Sequence, residues 1–250
     1  MPEVSIITPC FNSSKFLKET IGSVLNQTFT DWEWLITDDK STDNSVEIIR
    51  TLSDPRIKLT VADKNGGAGH ARNLSLRKAT GRYITFLDAD DFWEPNFLEE
   101  MIAFMKKENS ELAYSSYARC NENLIPQIKD FKADKEVTFN NLLKTCRLSL
   151  LSSMYDSQRV GKEYFPEGSK REDHVMWLNL LKKIPVAKPL PKTMAKYRMH
   201  STSISRKKKN ILIDQYLVYK DYLEFSTVKS LYYTATWALN GFIKYSKFFN

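Results

Sequence analysis

The sequence predicts an α/β protein with a doubly wound, mostly parallel sheet and a C-terminal helical extension. Short β-favouring runs alternate with helix-spaced apolar residues over roughly the first 110 positions, the pattern of a parallel sheet. Four of these runs end in polar or glycine-rich segments, and open α/β sheets bind ligands beyond the carboxyl ends of their strands. After about residue 120 the alternation loosens, and the last forty or so residues read as two helices.

Residues 4–8 are an apolar run closed by Pro9 and predict a buried first strand. Cys10-Phe11-Asn12-Ser13-Ser14 then offers Asn or Ser as a cap for a helix carrying Phe16, Leu17, Ile21, Val24 and Leu25. Residues 34–37 are a second strand, ending in Asp38-Asp39-Lys40-Ser41-Thr42-Asp43, and Val46, Ile49 and Leu52 mark a second helix. Residues 57–61 are a third strand, followed by a glycine-rich turn that enters a third helix. Residues 83–87 form the next buried strand, and Pro95 opens a fourth helix from its favoured first position. Residues 112–117 are a fifth strand. Residues 122–136 are polar and read as a loop, 138–151 as a helix, and 153–164 as a strand and turn. Ser169-Lys170-Arg171-Glu172 has capping-box spacing ahead of a helix with Val175, Trp177, Leu178 and Leu181.

A hydrophobic content of 42% with 27% charged residues is that of an ordinary globular domain. A net charge of +7 points to an anionic partner: nucleic acid, an acidic membrane surface or a phosphorylated ligand. The basic residues are scattered and no recognition motif appears, which argues against nucleic acid. Three cysteines without C-x-x-C spacing fit a reducing compartment and no zinc site. The start has no basic-then-apolar pattern of a secretory signal, and no apolar stretch is long enough to span a bilayer. The expectation is a cytoplasmic protein.

Three acids in four positions, Asp88, Asp90 and Asp91, end the central strand. Side chains two apart on an extended segment share a face, so Asp88 and Asp90 can hold one Mg²⁺ or Mn²⁺. The plainer alternative is a solvated acidic turn.

Six motifs occur in order: Val4-Ser5-Ile6-Ile7-Thr8-Pro9-Cys10-Phe11-Asn12, Gln27-Thr28-Phe29, Asp38-Asp39-Lys40-Ser41-Thr42-Asp43, Gly69-His70-Ala71-Arg72-Asn73, Asp88-Ala89-Asp90-Asp91 and Glu172-Asp173. Together they resemble the family 2 inverting glycosyltransferases of the GT-A fold, of the bacterial polysaccharide and lipooligosaccharide type. The resemblance is dense over residues 3–107 and thinner over 165–206. Lys40 stands where the family often has Gly, and Phe11 where Tyr is common. Neither change removes a required functional group. The resemblance implies a glycosyltransferase domain over 1–205, with a nucleotide-sugar half (1–118) and an acceptor half (119–205), and a helical tail over 206–250.

Its implied activity is transfer of a sugar from a nucleoside-diphosphate donor, UDP before GDP or dTDP, to a hydroxyl of a saccharide or lipid-linked saccharide. Asp39 would accept from the base, Arg72 would contact base or ribose, and Thr8 with Phe11 would complete the slot. Asp90 would ligate Mn²⁺ or Mg²⁺, supported by Asp88 through ribose or water, with His200 completing the metal shell or touching the diphosphate. Asp91 would cap the next helix. Asp173, in the first turn of a helix that favours its ionised form, would be the single general base, with Glu172 its cap partner.

The plainer alternatives are a core Phe11, an exposed ion pair for Arg72, a packing role for His200 and a simple helix-end charge for Asp173. Asp38 reads as a structural acceptor. Arg206-Lys207-Lys208-Lys209 reads as a solvated run or as a flap over the diphosphate. Leu231, Tyr232, Ala235, Leu239 and Ile243 make an apolar stripe, read first as a helix packed on the domain and second as peripheral contact with the inner face of the cell membrane. The rival classes are a non-catalytic nucleotide-sugar-binding scaffold and a nucleotidyltransferase; the latter needs a basic glycine-rich loop after the first strand, which Pro9-Cys10-Phe11-Asn12 does not supply.

Overall fold

Alternation of side chains along the first strands decides the architecture. In β1 (Val4–Cys10) the side chains of Val4 and Ile6 enter one apolar cluster and Ile7 enters another. Trp34 and Ile36 against Leu35 in β2 (Trp32–Asp38) divide in the same way, as do Tyr83 against Ile84 and Phe86 in β4 (Tyr83–Phe86). Period-2 strands that are apolar on both faces demand helices on both faces. A computed structural model, which describes residues 1–166, 168–169, 171–200 and 210–246, shows that arrangement.

The sheet has nine strands. β1, β2, β3 (Ile57–Val61) and β4 are parallel in the order β3-β2-β1-β4. The path continues through β8 (Ser153–Asp156), β6 (Leu112–Cys120), β9 (Lys188–Arg198) and β5 (Phe92–Trp93), while β7 (Pro126–Phe131) pairs with β6. β8 runs antiparallel to both β4 and β6, β9 runs parallel to β6, and β5 and β7 are antiparallel to their neighbours. On one face α1 (Ser14–Leu25) and α4 (Phe97–Lys107) supply Leu17, Ile21, Leu98 and Met101 to the core, joined by Ile49 of α2 (Ser45–Arg50). On the other, α3 (Ala68–Lys78), α5 (Phe139–Lys144) and α7 (Glu172–Lys183) supply Leu76, Leu142 and Trp177.

Register brings the carboxyl ends of the first strands to one edge, where Cys10 lies beside Asp38, Asp38 beside Val61, and Ile7 beside Phe86. The expected row of four strand ends is therefore present.

Several local expectations are corrected. Residues 126–131 form β7 rather than a loop, because Phe131 packs on Tyr117 at 4.9 Å and anchors the segment to β6. The expected helix over 138–151 is confined to Phe139–Lys144, with a single 3₁₀ turn at Leu150–Ser152. Helix α4 starts two residues after Pro95, with Asn96 at its N-cap. The capping box at Ser169 does not form: Ser169 Oγ accepts from Arg171 N at 3.2 Å, and Arg171 holds the N-cap position. A four-residue helix, α6 (Ser157–Val160), follows β8.

The described residues 210–246 hold α8 (Ile211–Leu217), a π-turn over Val218–Tyr222 and α9 (Thr227–Ser246). Helix α9 packs on the segment before it through Tyr233, which meets Tyr219 and Phe225, and on the domain through Asn240, which donates to the Lys144 carbonyl at 3.0 Å. The described part of the apolar stripe faces the opposite way; the side chain of Ile243 lies outside the described residues. Leu231, Tyr232 and Leu239 are 56%, 58% and 64% exposed, so packing on the domain does not explain them. The basic run Arg206-Lys207-Lys208-Lys209 and Lys247 lie outside the described residues. Among the described residues no helix is long and apolar enough to cross a membrane.

Candidate active site

Two loops are stitched together at the ends of β1 and β2. Asn12, at φ 48°, donates its backbone N–H to Ser41 Oγ at 2.9 Å and accepts from Thr42 N at 2.8 Å. Asp38 is fully buried, and its carboxylate holds the Ser41 amide and hydroxyl, the structural role expected of it. Lys40 lies at φ 69°, in the left-handed region, which explains why Gly suits that position. Phe11 stands on the surface, 45% exposed, and offers a ring face to solvent instead of joining the core. Thr8 is set apart from it: the side chain is fully buried and its hydroxyl accepts from the Trp34 indole at 2.8 Å.

Asp39 pins the glycine-rich turn. Its two carboxylate oxygens accept from Gly66 N at 2.8 Å and Gly67 N at 2.7 Å. Gly67 sits at φ 86°, a conformation only glycine adopts without strain. A carboxylate accepts about four hydrogen bonds, so Asp39 keeps acceptor capacity, although at 2% exposure it lies beneath the turn. A recess of about 330 Å³ opens beside this turn, with Lys64, Gly66, His70, Pro166 and Glu172 in its lining.

From the turn, α3 carries Arg72 and Asn73 inward. Asn73 makes two hydrogen bonds to the backbone of Phe165, at 2.9 and 2.8 Å, and so fixes the segment that leads toward α7. Arg72 is 5% exposed and stacks over the Phe165 ring at 5.3 Å. Its Nη2 meets Asp88 Oδ1 at 2.6 Å and its Nη1 meets Glu172 Oε1 at 3.2 Å. It is a buried junction rather than an exposed ion pair. Burial opposes its charge, but Asp88, Glu172 and then Asp173 outweigh that and raise its proton affinity. Asp173, the second residue of α7, therefore lies in the field of the same guanidinium. Glu172, expected as a cap partner, is instead committed to Arg72.

The acidic turn after β4 divides its three carboxylates. Asp88 turns to Arg72. Asp90 Oδ2 lies 2.8 Å from His200 Nε2, and the His200 ring rests on Phe16 with centroids 4.8 Å apart. Asp91 does not cap the next helix: it is buried, and its Oδ1 accepts from Arg198 N at 2.8 Å. Arg198, which sequence reasoning missed, is almost fully buried and also donates to the Asp90 carbonyl at 2.6 Å, to Glu19 and to the Glu122 carbonyl. It closes the turn onto β9 from more than a hundred residues away, and no local pattern announces that.

Burial first and Asp88 second push the Asp90 carboxyl upward, against the hydrogen bond from His200. Asp91 is pushed well up by burial, then by Asp90 and Asp88. Such crowding is relieved by a cation. Among the described residues no group of three His, Cys, Asp or Glu is gathered for a metal. Asp90 and His200 do converge, and Mg²⁺-type ions are commonly held by one or two protein donors with substrate phosphates completing the shell. The donor set fits an ion that arrives with a diphosphate.

The α7 start holds one further feature. His174 is fully buried with neither ring nitrogen hydrogen-bonded among the described residues. Burial and then Arg171 push its pKa down to about 3, so the ring is neutral beside Asp173.

A sheet edge with a recess beside a glycine-rich turn, an acidic turn and a helix-borne acid is the plan of a sugar-nucleotide transferase, and comparison with known proteins agrees. The family model "Glycosyl transferase family 2" matches residues 5–155, and the chain belongs to that family. It is a glycosyltransferase of the GT-A fold and of the kind used in bacterial polysaccharide synthesis. The chain is 37% identical over 244 residues to UDP-Glc:alpha-D-GlcNAc-diphosphoundecaprenol beta-1,3-glucosyltransferase WfgD of Escherichia coli, with 97% of this chain and 95% of that protein covered. Among solved structures, S. aureus TarS 1-349 in complex with UDP-GlcNAc matches with a TM-score of 0.75 at 22% identity, over 94% of this chain and 71% of that one. The mannosyltransferase PcManGT from Pyrobaculum calidifontis, in complex with GDP-Man and Mn²⁺, matches with a TM-score of 0.66 at 15% identity, over 95% of this chain and 73% of that one.

Proposed function

We propose that the chain transfers a sugar, with inversion, from a UDP-sugar to a hydroxyl of a lipid-linked saccharide, using one divalent cation and Asp173 as general base. The observation that carries the reading is the meeting of the donor motif and the base helix at one guanidinium, Arg72 between Asp88 and Glu172-Asp173. Donor and acceptor chemistry must share one centre, and Arg72 ties the acidic turn after β4 to the start of α7.

Phe11 offers a stacking face for the base, and Asp39 a carboxylate with acceptor capacity left. Thr8 serves from beneath, positioning the slot through Trp34. Asp90 and His200 would hold Mn²⁺ or Mg²⁺, which when bound would stabilise the charge on the departing diphosphate. Asp173 takes the proton of the acceptor hydroxyl as its oxygen bonds to the anomeric carbon, and the bond from that carbon to the diphosphate breaks. One base and no protein nucleophile leave the anomeric configuration inverted. The donor in the name of WfgD, UDP-Glc, and the UDP-GlcNAc held by TarS favour UDP. The name of WfgD also favours a diphosphoundecaprenol-linked acceptor.

A lipid-linked acceptor asks for a surface contact, and the outward stripe of α9 with Val228 and Phe242, 78% and 74% exposed, is suited to one. We place the enzyme on the cytoplasmic face of the membrane by this contact. Co-sedimentation with vesicles containing about a third anionic lipid should be lost in Leu239→Asp/Phe242→Asp; binding unchanged in that variant removes the proposal. For the chemistry, UDP-glucose, UDP-galactose and UDP-GlcNAc would be offered with a synthetic GlcNAc-diphospho-lipid. One donor should give a β-linked product by NMR, and an α-linked product would overturn inversion.

A further inference from the structure

We propose that Glu172 is a positioning residue that sets the place of Asp173 by holding Arg72, and that Gly69 is glycine to admit its carboxylate. The inference rests on the reading of Asp173 as base and deepens it.

Three observations converge. First, Glu172 Oε1 takes Arg72 Nη1 at 3.2 Å while Nη2 is held by Asp88 at 2.6 Å, so one planar guanidinium fixes the distance between the acidic turn and the start of α7. A planar fork binding two carboxylates transmits orientation in a way a point charge does not. Second, among the described residues no side chain caps the N-terminus of α7, where Arg171 holds the N-cap position. A long-range restraint is supplied by Glu172 reaching across to Arg72 of α3. Third, a Cβ on Gly69 would lie 2.2 Å from Glu172 Oε2 and 2.7 Å from its Cδ. The carboxylate lies against bare helix backbone at a position where any other residue would push it away. Arg72 itself cannot shift to compensate, because Phe165 lies under it and Asn73 clamps Phe165.

Glu172 thus acts through Arg72 and its neighbour Asp173, not on the substrate. Displacement of a base by about 1 Å can cost on the order of 10²-fold in rate. Glu172→Ala should lower kcat by about that factor, while the Kd for UDP with Mn²⁺ stays within about twofold and the Tm within a few degrees. Gly69→Ala should show a similar loss, but should add nothing in the Glu172→Ala background, where the space is vacant. Glu172→Gln, which can still accept from Arg72, should recover part of the rate.

The assay is UDP release from whichever UDP-sugar of the panel turns over with the synthetic lipid acceptor. Full kcat in Glu172→Ala, or additive losses in the double variant, would overturn the proposal. If Glu172→Ala does not fold, Gly69→Ala decides: a kcat loss at constant Kd supports the role, and no change refutes it. Asp173→Asn separates the two readings. Activity surviving in Asp173→Asn removes the base and this inference with it; loss there with full activity in Glu172→Ala removes the inference alone.

Discussion

Glu33 ties the amino-end edge of the sheet, opposite the site, and its titration gives a stability prediction with a fixed sign. The carboxylate is almost completely buried at the start of β2 and accepts from Ser5 Oγ, Thr80 N, Thr80 Oγ1 and Lys58 Nζ, each at 2.7 Å. It therefore ties β1, β2 and the turn entering β4. Burial alone would raise its pKa, but the Lys58, Thr80 and Ser5 hydrogen bonds outweigh it and lower the value from 4.5 to about 2. At about 1.4 kcal/mol for each tenfold in proton affinity, that difference is worth about 3 kcal/mol. Because the folded value is the depressed one, the stabilisation is complete above the unfolded value of 4.5 and is lost as pH falls toward 2. Urea unfolding of the protein and of Glu33→Gln at several pH values isolates this group from other acids. The gap between the two should be about 3 kcal/mol at pH near 7, flat down to about pH 5, and should close by about pH 2. A gap independent of pH would refute the reasoning, since the stabilisation would then come from shape rather than charge.

Asp173→Asn should lower kcat by about 10²- to 10⁴-fold in the UDP-release assay while UDP binding persists. Asn73→Ala removes two buried hydrogen bonds and leaves the Phe165 N–H and C=O without that partner, so urea unfolding should show a loss of roughly 2–4 kcal/mol. Lys40→Gly relieves a left-handed backbone at φ 69°, and chemical denaturation should show a gain of up to about 1 kcal/mol after the entropy cost of glycine.

What the sequence made legible is the part where meaning is local. The strands β1 to β4 announce themselves because each is a continuous apolar run ending in a polar loop, and the motifs at their ends identify the family on their order alone. The acids Asp38 and Asp39 show the limit of that legibility. They are adjacent and alike in sequence, yet one holds its own loop through Ser41 and the other crosses to Gly66 and Gly67. Strand β9 was hidden because Pro189 and Pro191 lie within it, and the pairing with β6 absorbs the irregularity through register shifts near Ser115 and Ser116. Strand β5, two residues long, exists only because β9 is beside it. Arg198 on Asp91 and Glu172 on Arg72 join residues about a hundred positions apart, and spacing rules carry no information at that range. The outward turn of the α9 stripe was equally out of reach, since periodicity shows that a helix has an apolar face but not which way it points.

The role proposed for Asp90 and His200 is to hold a cation that arrives with a nucleoside diphosphate. Calorimetric titration of UDP, with and without Mn²⁺, into the protein and into Asp90→Ala tests it most directly. Binding should require Mn²⁺ in the protein and should be lost in a folded Asp90→Ala. UDP binding that is indifferent to Mn²⁺, or that survives intact in Asp90→Ala, would contradict that role.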